Sequence, residues 1–402
     1  VQGLRVIGFD EAQALLAANV SALGTERVML AETHGRVLAE PVHAAICSPR
    51  VAVSAMDGYA LRNADAALGG RFAIVGKSFA GDPPPVSIAS GQCARIFTGA
   101  ALPAGADRVV MQENCIAEGD EMTIAAPFGP ARHVRVKASD FAEGDLLLPA
   151  GALLNPRAIV ALAGADHAEA LVYKRPKLAI IATGDELAAP GRTRDEPGKI
   201  PESVSFGAAA MAQDYGATMA GRFVGGDDLP TLRGLAERAL STADVVVVIG
   251  GAAVGERDYG KAMFDEQKLE LLFSNVAIKP GKPIWVGRAQ GRWVVGLPGN
   301  PTSAMVTARV FLVPLLTLLQ GCGVEEVLTW IRLPLAGPNI RSEGRTIFAR
   351  ACMTNQKLKF IENQDSGAQA PLVRANWLVR CDPEDREPPT QRPFETGLAL
   401  QF

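Results

Sequence analysis

Histidine is nearly missing from this chain: His34, His43, His133 and His167 are the four in 402 residues, and they stand far apart. A histidine-based metal centre or a Ser-His relay therefore has little support. The six cysteines (Cys47, Cys93, Cys115, Cys322, Cys352, Cys381) form no C-x-x-C pair. That argues against a disulfide framework and a zinc knuckle, and it fits a reducing cytoplasm. Neither sign of charge dominates, with 40 Lys plus Arg against 43 Asp plus Glu, so the basic field that binds nucleic acid generally is lacking. The most apolar stretch, "VFLVPLLTLL" at 310–319, is too short to span a bilayer and carries Pro314. The opening "VQGLRVIGFDEAQALLAANV" lacks a charged region followed by an apolar one, so no signal peptide is read there. No full G-x-G-x-x-G follows a strand-like run, which makes a nicotinamide dehydrogenase remote. These absences fit a soluble protein of the cytoplasm and argue against nucleic acid and membrane as partners.

The length suffices for roughly two to four domains of ~150 residues. Residues 10–40 carry apolar positions at helical spacing in "DEAQALLAANVSAL" and "RVMLAETHGRVLAE", which predicts helix. From about 49 to 148 the chain breaks into short β-like runs, "RFAIVG", "ARIFTG", "RVVMQE" and "EMTIAA", between Gly, Pro and Asp, as expected of a compact β domain. From about 176, strand-like "KLAIIAT", "ATMAGRFV" and "VVVVI" alternate with helical "SVSFGAAAMAQDYG" and "DLPTLRGLAERALS". That alternation predicts a parallel, doubly wound sheet. "PIWVGRAQGRWVVGLPGN" reads as a hairpin that delivers Pro301 to the first turn of a helix. Beyond about 330 the pattern is a small β domain, and no internal repeat is visible.

Ligands on doubly wound sheets collect at the carboxyl ends of strands. Three loops fall there: "TGDEL" (183–187), "VGGDD" (224–228) and "GGAAVGERDYGK" (250–261). Gly250, Gly251 and Gly255 either make a tight strand-to-helix turn or aim backbone N–H groups at a phosphate.

The stretches "SAMDGYALR" (54–62), "IFTGAALPAGADRVVMQE" (96–113), "LAIIATGDEL" (178–187), "GGAAVGERDYGK" (250–261), "IKPGKP" (278–283) and "GLPGNPTSA" (296–304) together resemble the molybdopterin molybdenumtransferases, or molybdenum insertases. That family includes the C-terminal part of gephyrin. The resemblance implies insertion of molybdate into adenylated molybdopterin with Mg²⁺ and release of AMP. It also implies a multidomain α/β plus β fold. A helical dimerisation segment (1–48 and 146–175) would carry an inserted β domain (49–145), followed by a doubly wound α/β domain (176–327) and a C-terminal β domain (328–402). The implied assembly is a homodimer with the active-site cleft between subunits. Molybdopterin adenylyltransferase and molybdoenzymes are its expected partners.

Molybdate is a tetrahedral dianion that needs fixed positive charge and donors. In "KPGK", Lys279 and Lys282 flank a Pro-Gly bend that can aim two ammonium groups at one point, although alone they would read as solvated loop lysines. The resemblance adds Ser303, and from the C-terminal domain Arg350 and Ser366. Pyrophosphate cleavage needs Mg²⁺ held by carboxylates and water. Asp57, Glu186, Asp228 and Asp258 match acidic functional positions of the family, with Glu186 and Asp258 as the metal pair; each alone would pass for a helix cap or a solvated acid. Thr98, Arg135 and Asp140 match positions lining the cleft, Thr98 as a hydroxyl donor. The chain departs from the family pattern at Ile249, Ala253 and Val204, at "VAV" (51–53), and in the shortened "RVKASD". Several of these losses are of side-chain donors, and they set up an alternative: an impaired paralogue that carries molybdopterin or molybdenum cofactor. An adenylyltransferase would have only the α/β domain.

Overall fold

The computed structural model describes residues 5–83, 87–251, 259–338, 340, 342, 344–383 and 396–402. The chain divides into two compact units, one of Val1–Glu26, Gly35–Ala39 and Val172–Phe402, the other of Arg27–His34 and Glu40–Leu171.

In the larger unit the aliphatic run Val245–Ile249 is a strand with every residue buried. It lies inside a six-stranded sheet ordered Thr218–Gly225, Lys177–Thr183, Val245–Ile249, Arg292–Leu297, Trp285–Ala289, Glu270–Ser274. The first four strands are parallel, and the last two each run antiparallel to the preceding neighbour. Alternate side chains feed two cores. Ile180, Val245, Val247 and Val295 pack with residues of the helices Phe9–Asn19 and Val204–Asp214. Ile181, Val246, Val248 and Val294 pack with residues of Leu229–Thr242 on the other face. Burial of both faces explains why these strands show no polar alternation.

The helical run Pro301–Leu319 is long and apolar enough to cross a bilayer, yet 89% of that window is buried inside the protein. It is longer than the ten-residue apolar stretch because the helix already starts at Pro301 and continues through Pro314. The run widens to a π-turn at Ala308–Leu312, next to where the proline ring would meet the Val310 carbonyl and leave it without a donor.

A second sheet in the same unit follows the order Ile278–Lys279, Thr346–Thr354, Trp377–Cys381, Thr396–Gln401, Ile331–Pro334, with Lys357–Phe360 paired to the second strand. Ile278–Lys279 belongs by sequence to the α/β part, so its parallel pairing with Thr346 and Ile347 ties the "KPGK" bend to the C-terminal strands.

The smaller unit holds a sheet ordered Arg108–Met111, Gly58–Leu61, Gln92–Ile96, Arg71–Ser78, Glu121–Ile124, Cys115–Glu118. Period-two alternation sends Tyr59, Leu61, Cys93 and Val110 into one cluster and Ala60, Ala94, Ile96 and Val109 into another. None of the six cysteines is in a disulfide, and burial pushes the Cys93 thiol up to about 12.

The helical reading of 10–40 holds only for Phe9–Asn19. Beyond it Gly24 takes φ +98, and Thr25–Met29 is a strand followed by a single 3₁₀ turn. β-Branched Thr25 and Val28 favour the extended form, and backbone partners supply what a helix would have: Lys174 N–H donates to Gly24 and Leu30 N–H to Ala168. The return segment is likewise mixed, with strands Leu146–Leu148 and Glu169–Tyr173 around one helix, Pro156–Gly164. Asn155 caps that helix, accepting at 3.0 Å from both Arg157 and Ala158 N–H.

Candidate active site

Three parallel strands, Lys177–Thr183, Thr218–Gly225 and Val245–Ile249, end on one cavity of about 590 Å³. Glu186, Asp227, Gly250 and Gly251 line it from the three following loops, and Glu202 and Asn300 from two helix starts. Gly184, at φ +148, is where the Glu186 carboxylate folds back, since a Cβ there would sit 2.5 Å from Oε2. The neighbouring loops are tied together by Asp185, whose carboxylate accepts from Asp227 N–H at 2.9 Å.

Gly250 is placed differently from a donor of the expected phosphate nest. Gly250 has φ +90, and a Cβ on it would meet the Thr183 carbonyl at 2.8 Å. Glycine is therefore required by packing against the next strand. Its N–H is spent on the Leu297 carbonyl at 3.2 Å, so Gly250 brings no free donor to a phosphate. Gly251, at φ +58, lines the cavity. Gly255, Ala253 and Asp258 lie outside the described residues.

Asp228 also departs from its expected role. It is the N-cap of the Leu229–Thr242 helix, accepting from Thr231 N–H at 3.0 Å. Hydrogen bonds from the Thr231 side chain and backbone hold its carboxyl below the ordinary range. The acid facing the cavity is its neighbour Asp227. Both sit in "GGDD", and the helix-start rule that makes the residue before "LPTL" a cap would have separated them. Glu202 is 3% exposed and accepts from Ser205 N–H (2.8 Å) and Oγ (2.5 Å) at the start of helix Val204–Asp214. Glu202 thus closes a helix end with a buried carboxylate.

A second cavity of about 470 Å³ adjoins the first at Pro283, which lines both. Lys279, Lys282, Ser303, Arg345, Asp365 and Ser366 line it. Both lysines are exposed. The bend between them is fixed by Val276 N–H donating to the Lys282 carbonyl and Ile284 N–H to Gly281. Gly281, at φ +96, lets the bend lie against the helix, because a Cβ would come 2.2 Å from Thr307 Cγ2. Ser366 is held at the helix start: its Oγ accepts from Asn300 Nδ2 at 3.1 Å, and its carbonyl accepts from Thr302 N–H at 3.0 Å. Three cations and two hydroxyls against one carboxylate make this cavity suited to a small oxyanion.

Arg350 is not part of that lining. It is fully buried, and its Nη2 donates to the carbonyls of Asn363 (3.1 Å) and Asp365 (3.2 Å). It holds from behind the loop that carries Ser366. Arg345, which the sequence reading passed over, supplies the cavity's third cation; its signal was its place opposite the "IKPGK" strand, visible only once Ile278–Lys279 pairs with Thr346–Thr354.

The remaining expected residues belong to the smaller unit. Asp57 Oδ1 accepts from Thr98 N–H at 2.7 Å and Thr98 Oγ1 at 2.8 Å. Those two bonds, backbone first, hold the carboxyl below its ordinary range. The Thr98 hydroxyl proton is therefore already used, and Thr98 orients Asp57 instead of donating to a ligand. Arg135 and Asp140 are exposed. Arg135 is on a strand paired to Val53 and Ser54, and Asp140 N–H donates to the Ser48 carbonyl at 3.0 Å.

Among the described residues no group of three or more His, Cys, Asp or Glu is placed to hold a metal. Glu186 and Asp227 offer hard oxygen donors at the strand ends. That suits Mg²⁺, which takes one or two carboxylates and completes its shell with water and substrate phosphate.

Comparison with known proteins gives a consistent result. The family described as "MoeA N-terminal region (domain I and II)" matches residues 7–165, and "Probable molybdopterin binding domain" matches residues 179–318. A molybdopterin molybdenumtransferase of Haemophilus influenzae is 35% identical over 371 residues, 90% of each chain. One of Nostoc sp. is 35% identical over 318 residues, 77% of this chain and 73% of its own. The crystal structure of a molybdopterin biosynthesis moeA protein from Pyrococcus horikoshii superimposes with a TM-score of 0.82 at 26% identity, covering 99% of this chain and all of that one.

Proposed function

This chain belongs to the molybdopterin molybdenumtransferase family, and from that membership we propose that it is a transferase of molybdenum cofactor biosynthesis that inserts molybdate into adenylated molybdopterin and releases AMP. The observation that carries the reading is the pair of joined cavities, one acidic at the strand ends and one cationic at the "KPGK" bend, sharing Pro283. Substrate and oxyanion would each have a place of matching charge, with the reacting groups close to the shared wall.

In this account Lys279 and Lys282 hold the molybdate dianion, with Ser303 and Ser366 donating to its oxygens and Arg345 adding charge. Arg350 keeps the Ser366 loop in position. Glu186 and Asp227 would hold Mg²⁺, which when bound neutralises charge on the phosphates; Asp258, outside the described residues, is the further candidate ligand. Asp228 keeps the Leu229–Thr242 helix start in place. Arg135 and Asp140 stay assigned to substrate contacts from the smaller unit. The homodimer, the cleft between subunits, the four-part domain division and a cytoplasmic location are parts of the same proposal.

Incubating the purified protein with adenylated molybdopterin, Mg²⁺ and molybdate and measuring AMP tests it. Molybdate-dependent AMP release supports the transferase. Tight binding of the adenylate without release would support a carrier, the reading favoured by the Gly250 N–H being committed to Leu297 and by apolar Ile249 and Val204 in the cavity wall.

A further inference from the structure

The smaller unit contains a layered aromatic arrangement that the account so far does not use. Strands Arg71–Ser78 and Gly58–Leu61 flank Gln92–Ile96 on opposite edges. Phe79 and Phe97 directly follow the first and the last of these, and their rings stack at 4.6 Å with planes 10° apart. On the middle strand, the Arg95 guanidinium donates to the Gly58 carbonyl at 2.8 Å and lies 4.6 Å from the Phe97 ring centre. Phe97 is thereby fixed between a cation and a second ring. Phe79 is 46% exposed, and the next strand, Glu121–Ile124, pairs no further along than Ala73. The flat apolar face of Phe79 is thus presented to solvent from a fixed base, an arrangement suited to stacking a planar ring.

Thr98 follows Phe97 and spends both its donors on Asp57 Oδ1. Asp57 Oδ2 has no hydrogen bond among the described residues, so the residue next to Phe97 holds a carboxylate with one oxygen left to accept. An ionised carboxylate only accepts. A 2-amino-4-oxopyrimidine offers it an amino group beside a ring N–H, two donors side by side. Adenine offers an amino group beside a ring nitrogen acceptor, which repels it.

We propose that Asp57 and Phe79 form the subsite that recognises the pterin end of the substrate, Phe79 by stacking from the base that Phe97 provides and Asp57 by accepting from the amino and ring N–H edge. This rests on the reading that the substrate is an adenylated pterin, and it makes Asp57 a ring-recognition residue that need not meet the phosphates.

The test is titration of the full-length protein with adenylated molybdopterin and, separately, with AMP. Phe79→Ala should weaken adenylated molybdopterin about tenfold, in line with the loss of one base-sized stacking contact, and leave AMP binding unchanged. Asp57→Asn should act in the same direction on the same ligand only. Phe79→Trp should restore affinity, and because the native tryptophans (Trp285, Trp293, Trp330, Trp377) all lie in the larger unit, its indole fluorescence should report pterin stacking by quenching. Wild-type affinity in Phe79→Ala, or equal weakening of AMP, would overturn the subsite. A wild-type protein that binds neither ligand would instead overturn the substrate reading beneath it.

Discussion

The two cavities of the larger unit share a wall and differ in almost everything else. The one at the strand ends is lined by Glu186, Glu202 and Asp227 with glycine backbone between them; the other, at the bend, is lined by Lys279, Lys282 and Arg345 with two serine hydroxyls. Acid side chains beside a pyrophosphate would repel it, so the first cavity works only if a cation sits between carboxylate and phosphate. The second needs no such intermediary, because its charges already oppose those of an oxyanion. The contrast predicts that one cavity depends on metal and the other does not, which makes the two separable by mutation.

The sharpest break should come from Lys279→Ala plus Lys282→Ala. Losing two charge-assisted contacts, at about 1.5–3 kcal/mol each, is expected to lower molybdate-dependent AMP release by 10²-fold or more while adenylate binding survives. Kinetics over a range of molybdate concentrations check this. On the acidic side, Glu186→Gln should cost about 10²-fold in AMP release, the usual scale for one catalytic electrostatic group, and the defect should shrink as Mg²⁺ is raised. An equal defect at every Mg²⁺ concentration would remove Glu186 from the metal. Gly250→Ala is expected to destabilise the fold by a few kcal/mol, since it puts a side chain at positive φ and 2.8 Å from the Thr183 carbonyl; thermal unfolding reads it. Asp228→Asn should do least. Asparagine caps nearly as well as aspartate, so rate and Tm at neutral pH should barely move, whereas Asp227→Asn should slow AMP release. Because the folded Asp228 carboxyl titrates below its ordinary range, its stabilising effect is present above the unfolded value of about 3.9 and is lost as pH falls through the folded one. Any Tm advantage of wild type over Asp228→Asn should therefore disappear in acid.

Much of this arrangement could be read from the chain before any coordinates. Uninterrupted aliphatics marked the buried strands, Pro301 marked a helix start, and "KPGK" marked the cationic bend, because each rests on local rules of burial, backbone geometry or charge. What could not be read depended on who sits next to whom. Gly250 looked like a phosphate donor until Leu297 from a neighbouring strand took its N–H. Thr98 looked like a donor until Asp57 claimed it. Arg350 and Arg345 exchange importance because strand alternation turns the first inward and the pairing of Ile278–Lys279 with the C-terminal sheet brings the second alongside. Helical periodicity in "RVMLAETHGRVLAE" was overridden by partners more than a hundred residues away.

The central claim is that the bend cavity holds the oxyanion, and diffraction at the molybdenum absorption edge from crystals soaked in molybdate locates it directly. An anomalous peak within hydrogen-bond reach of Lys279 and Lys282, lost in the double alanine variant, is the expected result. A peak at the Gly250–Gly251 loop instead, or one at the bend that persists without the two lysines, would contradict the account.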